Sequence, residues 1–206
     1  LDWTRKLVGI AVVAAALSGC ASGKQLTLSG PLLAPARAVP ESKVVPRVAV
    51  VDFEFAGGEG AAIGRDFDNV RAIAWKGTPG AAVADIVAAS LSERGVPVVR
   101  VAMAGHVPGG VLVTVKGRID DFRVSAKRLH SVKVESEAHV ALTLFAEGEN
   151  VAQDWSTGRI ESDVWSTEPF FVTPDGVREA LGTAASGAGD EAASRIMALR
   201  EAFTPR

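Results

Sequence analysis

Hydrophobic positions along the chain follow two periods, and the order in which those periods alternate predicts the fold. Residues 47–53 (RVAVVDF) form a short apolar run rich in β-branched side chains, as in a buried strand. Residues 56–77 carry Gly57, Gly58, Gly60, Gly64 and Gly77 and no clean period, which predicts a long loop or an irregular hairpin. Thr78-Pro79 then offers a helix N-cap followed by proline at the first helical position. Val83, Ile86, Val87, Ser90 and Leu91 fall on one face of that helix, and Gly95 supplies its stop. Residues 96–101 (VPVVRV) predict the next strand.

Beyond residue 110 the period becomes two. Val111, Val113, Val115 and Ile119 share one side of 111–124, with Lys116, Arg118 and Asp120 on the other. Over 132–146, Val132, Val134, Ala138, Val140, Leu142 and Leu144 face one way, and Lys133, Glu135, Glu137, His139 and Thr143 the other. A turn at Glu147-Gly148-Glu149-Asn150 leads into a third long strand, 151–165. Three long strands with one polar face imply an antiparallel meander whose other face lies on the core. Thr173-Pro174 opens a C-terminal helix with Val177, Leu181, Ala184, Ala185, Ala192, Ile196 and Leu199 inward. Gly182, Gly187 and Gly189 predict a kink or break near 187–189. The expected class is α+β: a two-layer sandwich in the order β-α-β-β-β-β-α, with a mostly antiparallel sheet and both helices on one face.

The N-terminal stretch follows neither period. Arg5 and Lys6 precede an uncharged apolar run, residues 7–17 (LVGIAVVAAAL). This is the layout of an export signal, and it is too short for the roughly 20 residues that span a bilayer. Leu17-Ser18-Gly19-Cys20 follows, and it resembles the lipobox of bacterial lipoproteins: an aliphatic residue, two small residues, then cysteine. The resemblance implies that a signal peptidase recognises Leu17, Ser18 and Gly19 and cuts before Cys20. It also implies that Cys20 carries a thioether-linked lipid and an acylated terminus. Such an anchor is effectively permanent, since each buried CH2 contributes about 0.8 kcal/mol. Ala21 in place of Asp favours the outer membrane over the inner by the enterobacterial sorting pattern.

Pro31, Pro35, Pro40 and Pro46 recur through residues 21–46, which predicts an extended tether. At roughly 3 Å per residue it would hold the domain several nanometres off the membrane. The alternation in residues 25–29 (QLTLS) leaves open that part of the tether pairs as a strand. The expected organisation is thus a lipoprotein signal peptide over 1–19, a lipidated cysteine and Pro-rich tether over 20–46, and one α+β domain over 47–203.

This order resembles the YajG-type bacterial outer-membrane lipoproteins. These belong to a wider group of envelope proteins that includes the curli secretion lipoprotein CsgG and the N-terminal domain of TolB. The likeness is carried by the lipobox, the Leu26-Thr27-Leu28-Ser29 patch, the helix ending Leu91-Ser92-Glu93-Arg94-Gly95-Val96, and the strand running into Ile119-Asp120-Asp121-Phe122. It implies a non-catalytic lipoprotein facing the periplasm, with no cofactor and no catalytic residues to carry over.

Composition narrows the rest. Apolar residues make up 48% and charged residues 22%, a globular balance. The net charge of −2 and the lack of any run of basic residues argue against nucleic acid as a partner. Cys20 is the single cysteine, so no intramolecular disulfide can form.

Candidate chemistry is sparse. Gly57-Gly58-Glu59-Gly60 lacks the lysine and spacing of a phosphate loop and reads as a flexible turn. His106, His130 and His139 are far apart and show no ligand spacing, so no metal is expected. Asp120 and Asp121, as neighbours on a strand, should point to opposite faces at a strand end. Asp52 and Glu54 flank Phe53 at the end of the first strand, where α/β sites often sit, and no serine lies in a nucleophile elbow. Trp155 and Trp165 share strand parity, with Phe170-Phe171 close behind, and Trp75 lies in the Gly-rich segment. All three tryptophans are candidates for partner binding as well as for core filling. The expectation is a membrane-anchored, non-enzymatic envelope lipoprotein that binds another envelope component. The alternatives are a homo-oligomeric secretion or transport subunit and a small-molecule or lipid carrier.

Overall fold

The computed structural model describes residues 25–34, 45–68, 70–129, 133–169 and 171–199. Among these, the order is β1 (Leu26–Leu28), β2 (Val48–Val51), β3 (Glu54–Phe55), β4 (Ala62–Asp66), β5 (Arg71–Trp75), α1 (Gly80–Glu93), β6 (Val98–Val101), β7 (Val113–Leu129), β8 (Lys133–Glu147), β9 (Ser156–Pro169) and α2 (Pro174–Met197). A 3-10 turn at Ala104–His106 separates β6 from β7.

β7 organises the sheet. β8 pairs with it antiparallel from Thr114↔Glu147 to Leu129↔Lys133, and β9 pairs antiparallel with β8. The other edge of β7 is shared in turn by three short strands that all run parallel to it. β2 lies against residues 113–115, β3 against 118–119 and β4 against 124–126. β6 extends the sheet beyond β2 at one end, and β5 and β1 extend it beyond β4 at the other.

The expected antiparallel meander is therefore only one side of the sheet. Among the described residues the parallel pairings are β1–β5, β2–β6, β2–β7, β3–β7 and β4–β7, against the antiparallel β4–β5, β7–β8 and β8–β9. The class is α+β, with a mixed sheet and an order that begins with five strands rather than one. The four strands absent from the expected order are short, and strands of two to five residues carry too few alternations to declare a period.

Residues 56–77 fold as a hairpin of β4 and β5 whose register slips near Ala62. Its apolar members Ile63, Ile73 and Trp75 enter the core. Gly64 is required there, because a Cβ at that position would lie 1.6 Å from the Val124 carbonyl oxygen. Part of the expected tether also belongs to the fold: β1 pairs with β5, and Leu26, Leu28 and Leu32 are buried.

Both helices lie on one face of the sheet and pack against each other, α2 across β7 to β9 and α1 over β2 and β6. The inward positions of α1 are those its periodicity predicts, and Gly95 ends it at φ 78°. Its N-cap is Pro79, one residue later than Thr78, and it has no side-chain cap. Thr173 caps α2 by accepting a hydrogen bond from the Gly176 N–H at 3.0 Å. No break occurs near 187–189; α2 is continuous. Its glycines permit close packing: a Cβ on Gly182 would lie 2.6 Å from the Leu33 carbonyl oxygen, and one on Gly189 would lie 3.0 Å from Ile86. Burial against a partner outweighs the helix cost of glycine, which is about 1 kcal/mol.

Candidate functional site

The face of the sheet turned away from the helices is open, and it carries most of the polar chemistry of the domain. A β-bulge in β7 shapes its centre. Ile119 pairs with Leu142 and Asp121 with Ala141, so Asp120 is an extra residue with no partner of its own. The bulge brings both aspartates to the open face, contrary to the alternation expected of strand neighbours. They also sit mid-strand rather than at a strand end.

Asp120 accepts hydrogen bonds from Arg118 Nε and from the Thr143 hydroxyl, each at 2.5 Å. Burial pushes its carboxyl pKa up. Those two hydrogen bonds, with the charges of Arg118 and Arg159, outweigh burial and hold it below the ordinary carboxylate value. Arg159 is in turn held above its usual range, first by its hydrogen bond to Glu161.

Asp121 faces His139, whose Nε2 lies 3.6 Å from its carboxylate, and Arg123, whose Nε lies 3.4 Å from it. On its other side His139 Nδ1 meets Asp163 on β9 at 2.7 Å. The imidazole is thus gripped between two carboxylates across three strands, with Nε2 buried and not hydrogen bonded. His139, Asp163 and Ser125 line one shallow hollow of about 490 Å³ together with Arg65, Phe67 and Glu137. They do not form a nucleophilic relay: Ser125 stands opposite Glu137, two pairs along from Arg123 and His139, and the group facing Nε2 is Asp121. Among the described residues, no group of three His, Cys, Asp or Glu could hold a metal ion. His106 sits exposed in the 3-10 turn, and His130 lies outside the described residues.

Towards the Val113 end of β7 the open face deepens into a cleft of about 880 Å³. Asp52, Glu54, Met103, Phe145, Glu147 and Trp155 are among its walls. Asp52 is held by Arg100 Nη2 at 2.5 Å, and Glu147 by Lys116 Nζ at 2.6 Å. Met103 and Phe145 are exposed apolar side chains in a polar surround.

The tryptophans divide. Trp75 is buried and stacks edge-on against Phe122 at 5.7 Å, so it offers no binding surface. Its place in a glycine-rich segment suggested a loop, but β5 carries it into the core. Trp155 packs partly on the core and lines the cleft. Trp165 is 63% exposed, opposite Glu137 on the open face. The two do not share strand parity: Trp155 precedes β9, and the β8–β9 register shifts between Thr143 and Phe145, near Gly158 at φ 66°. The Gly57–Gly60 segment is a turn, with the Gly58 and Gly60 N–H groups donated to the carbonyls of Phe55 and Gly77. Leu17, Ser18, Gly19 and Cys20 lie outside the described residues.

No protein-family model matches the chain, and no curated protein does. Solved structures with some similarity include a Xanthomonas campestris protein of family DUF330, at 13% identity and TM-score 0.47, covering 86% of this chain and 99% of that one. A PelC dodecamer from Paraburkholderia phytofirmans matches at 19% identity and TM-score 0.35, covering 77% and 92%. A Caulobacter crescentus chain named as a proposed lipoprotein matches at 14% identity and TM-score 0.31, covering 75% and 92%. At scores below 0.5 these similarities assign neither a family nor a function. Among the described residues, no helix is long and apolar enough to cross a membrane.

Proposed function

We propose that the chain is a non-enzymatic lipoprotein of the bacterial envelope. In this reading acylated Cys20 anchors it on the periplasmic face of the outer membrane, and the open face of its sheet holds another envelope component. The lipobox resemblance and the likeness to YajG-type lipoproteins support the anchor. The observation that supports binding is the cleft on the helix-free face, where Met103, Phe145 and Trp155 gather inside a rim of charged groups. An apolar patch within a polar rim is the surface that partner recognition uses. Several charged groups at and near its rim are paired: Asp52 with Arg100 and Glu147 with Lys116 at the rim, and Asp120 nearby with Arg118 and Thr143. Groups committed in this way position a surface rather than move protons.

The test is a photo-crosslinking amino acid placed at Phe145 in intact cells, with Glu179 on the solvent side of α2 as control. A discrete adduct from position 145 and none from 179 is expected. The same adducts from both positions, or none from 145, would overturn the binding face. The cleft volume keeps a small-molecule carrier as a second reading, since ligand sites commonly enclose about 300–1,000 Å³. Native mass spectrometry of protein extracted from membranes would show a retained small molecule if that reading holds, and bare protein if it fails.

A further inference from the structure

We propose that the end of the sheet carrying the β4–β5 turn is seated on the bilayer surface, with Phe67, Val70 and Phe171 in the lipid interface. The proposal rests on the anchor at Cys20 and starts from where the described chain begins. β1 runs parallel to β5 and pairs Leu26 with Ile73, so Gln25 lies near Arg71, at the end where β4 turns into β5. β7 also ends here, β8 begins here, and Pro169 of β9 finishes opposite Lys133. Hydrogen bonds tie these segments together. The Phe67 N–H donates to the Ala126 carbonyl at 2.9 Å, the Arg128 N–H to Asp68 Oδ1 at 3.0 Å, and Arg71 Nη2 to the Val172 carbonyl at 3.3 Å.

Chain length then fixes which end meets the membrane. Cys20 and Gln25 are five residues apart. Five residues reach at most about 17 Å when fully extended. The opposite end, where Val45 sits beside Gly110, is separated from the β4–β5 turn by the length of β7, on the order of 50 Å. A lipid on Cys20 therefore keeps the β4–β5 end within about 17 Å of the membrane, a constraint that the other end does not share.

The side chains at that end suit an interface. Phe67, Val70 and Phe171 are 56%, 64% and 70% exposed. Lys127, Arg128 and Lys133 stand exposed at the same end; Lys127 is paired with Glu135 and Arg128 with Asp68 through Nε, which leaves Lys133 and the outer N–H groups of Arg128 to reach lipid phosphates. Val70 also holds φ 49°, a left-handed conformation that a β-branched residue adopts only at a cost. Glycine or asparagine would fit that turn more easily, yet the position carries an apolar side chain turned outward.

The test uses the full chain, purified from membranes and reconstituted in vesicles of phosphatidylethanolamine and phosphatidylglycerol. With Cys20 acylated, a thiol introduced by Val70→Cys or Phe171→Cys is the only free one and takes an environment-sensitive fluorophore; Val45→Cys is the control. At 70 and 171 the emission should shift blue and lose about half its intensity to a lipid-borne quencher, as expected for side chains at interfacial depth, with neither change at 45. Water-like emission at 70 and 171 in protein whose mass shows an acylated Cys20 overturns the docking and leaves the anchor standing. A bare thiol at Cys20 overturns the anchor, and the docking with it.

Discussion

The two faces of the long strands β7 and β8 differ in how they are held. On the helix side Val115, Ile119, Val140, Leu142 and Leu144 are fully buried, on strands that α2 covers. On the open side Arg118, Asp120, Asp121, Arg123, His139 and Thr143 bind one another through ion pairs and hydrogen bonds. One face is held by excluding water and the other by pairing charges within reach of it. Stability should therefore reside on the first face, and freedom to evolve a binding surface on the second.

Leu142→Ala is the sharpest way to break this contrast. It removes a fully buried side chain from the centre of β8 and should cost about 2–5 kcal/mol. Phe145→Ala, three residues along the same strand but on the open face and 39% exposed, should cost less, on the order of 1–2 kcal/mol. Urea unfolding of both variants checks this, and equal losses would mean that the open face is covered in the folded protein.

Gly182→Ala should come next, at about 1–3 kcal/mol. The added methyl meets backbone, the Leu33 carbonyl, rather than a side chain able to turn aside. Its effect should be local: faster hydrogen exchange over residues 25–34 and their partners on β5, with β8 and β9 unchanged. Uniform loss of protection would show that β1 is no separable part of the sheet.

The helix-covered face was legible in the chain because its period runs long: Val134, Ala138, Val140, Leu142 and Leu144 repeat on one side of β8, and all are buried. The α1 face and the Thr173 cap were legible for a similar reason, each being a local pattern that needs no distant partner. The parallel strands were not. Glu54–Phe55 becomes a strand only by pairing with Arg118 and Ile119, and β4 joins the sheet by pairing with Val124 to Ala126, all far away in sequence. The bulge left a trace that strict alternation hid: Ile119 and Phe122 are both core residues, three positions apart where a regular strand would space them by two or four. The grip on His139 left none, because Asp121 and Asp163 meet it only through register across three strands.

Asp163→Asn sharpens the contrast on the open side. It keeps the shape of the contact to His139 Nδ1 and removes its charge, so it should cost about 1 kcal/mol. His139→Gln, which empties the slot between the two carboxylates, should cost more than Asp163→Asn. If the double variant costs the sum of the two single ones, His139 and Asp163 do not act as a pair.

The last expected effect is the one whose size depends on pH. Asp120 has its folded pKa lowered: burial opposes ionisation, but the hydrogen bonds from Thr143 and Arg118 and the charges of Arg118 and Arg159 favour it more. A depressed folded pKa means that the folded state releases its proton more readily than the unfolded chain. The stability this provides is present above the unfolded value, 3.8, and drains away as pH falls through the lower folded value. Asp120→Asn should therefore be less stable than the parent by about 1 kcal/mol at pH 7. The gap should begin to close below about pH 4 and be gone once both folded and unfolded Asp120 are protonated. Urea titrations at three pH values across that range measure it. A gap that stays constant would assign the loss to the fit of the amide in the bulge rather than to charge, and the open face would then be held by shape, like the face beneath the helices.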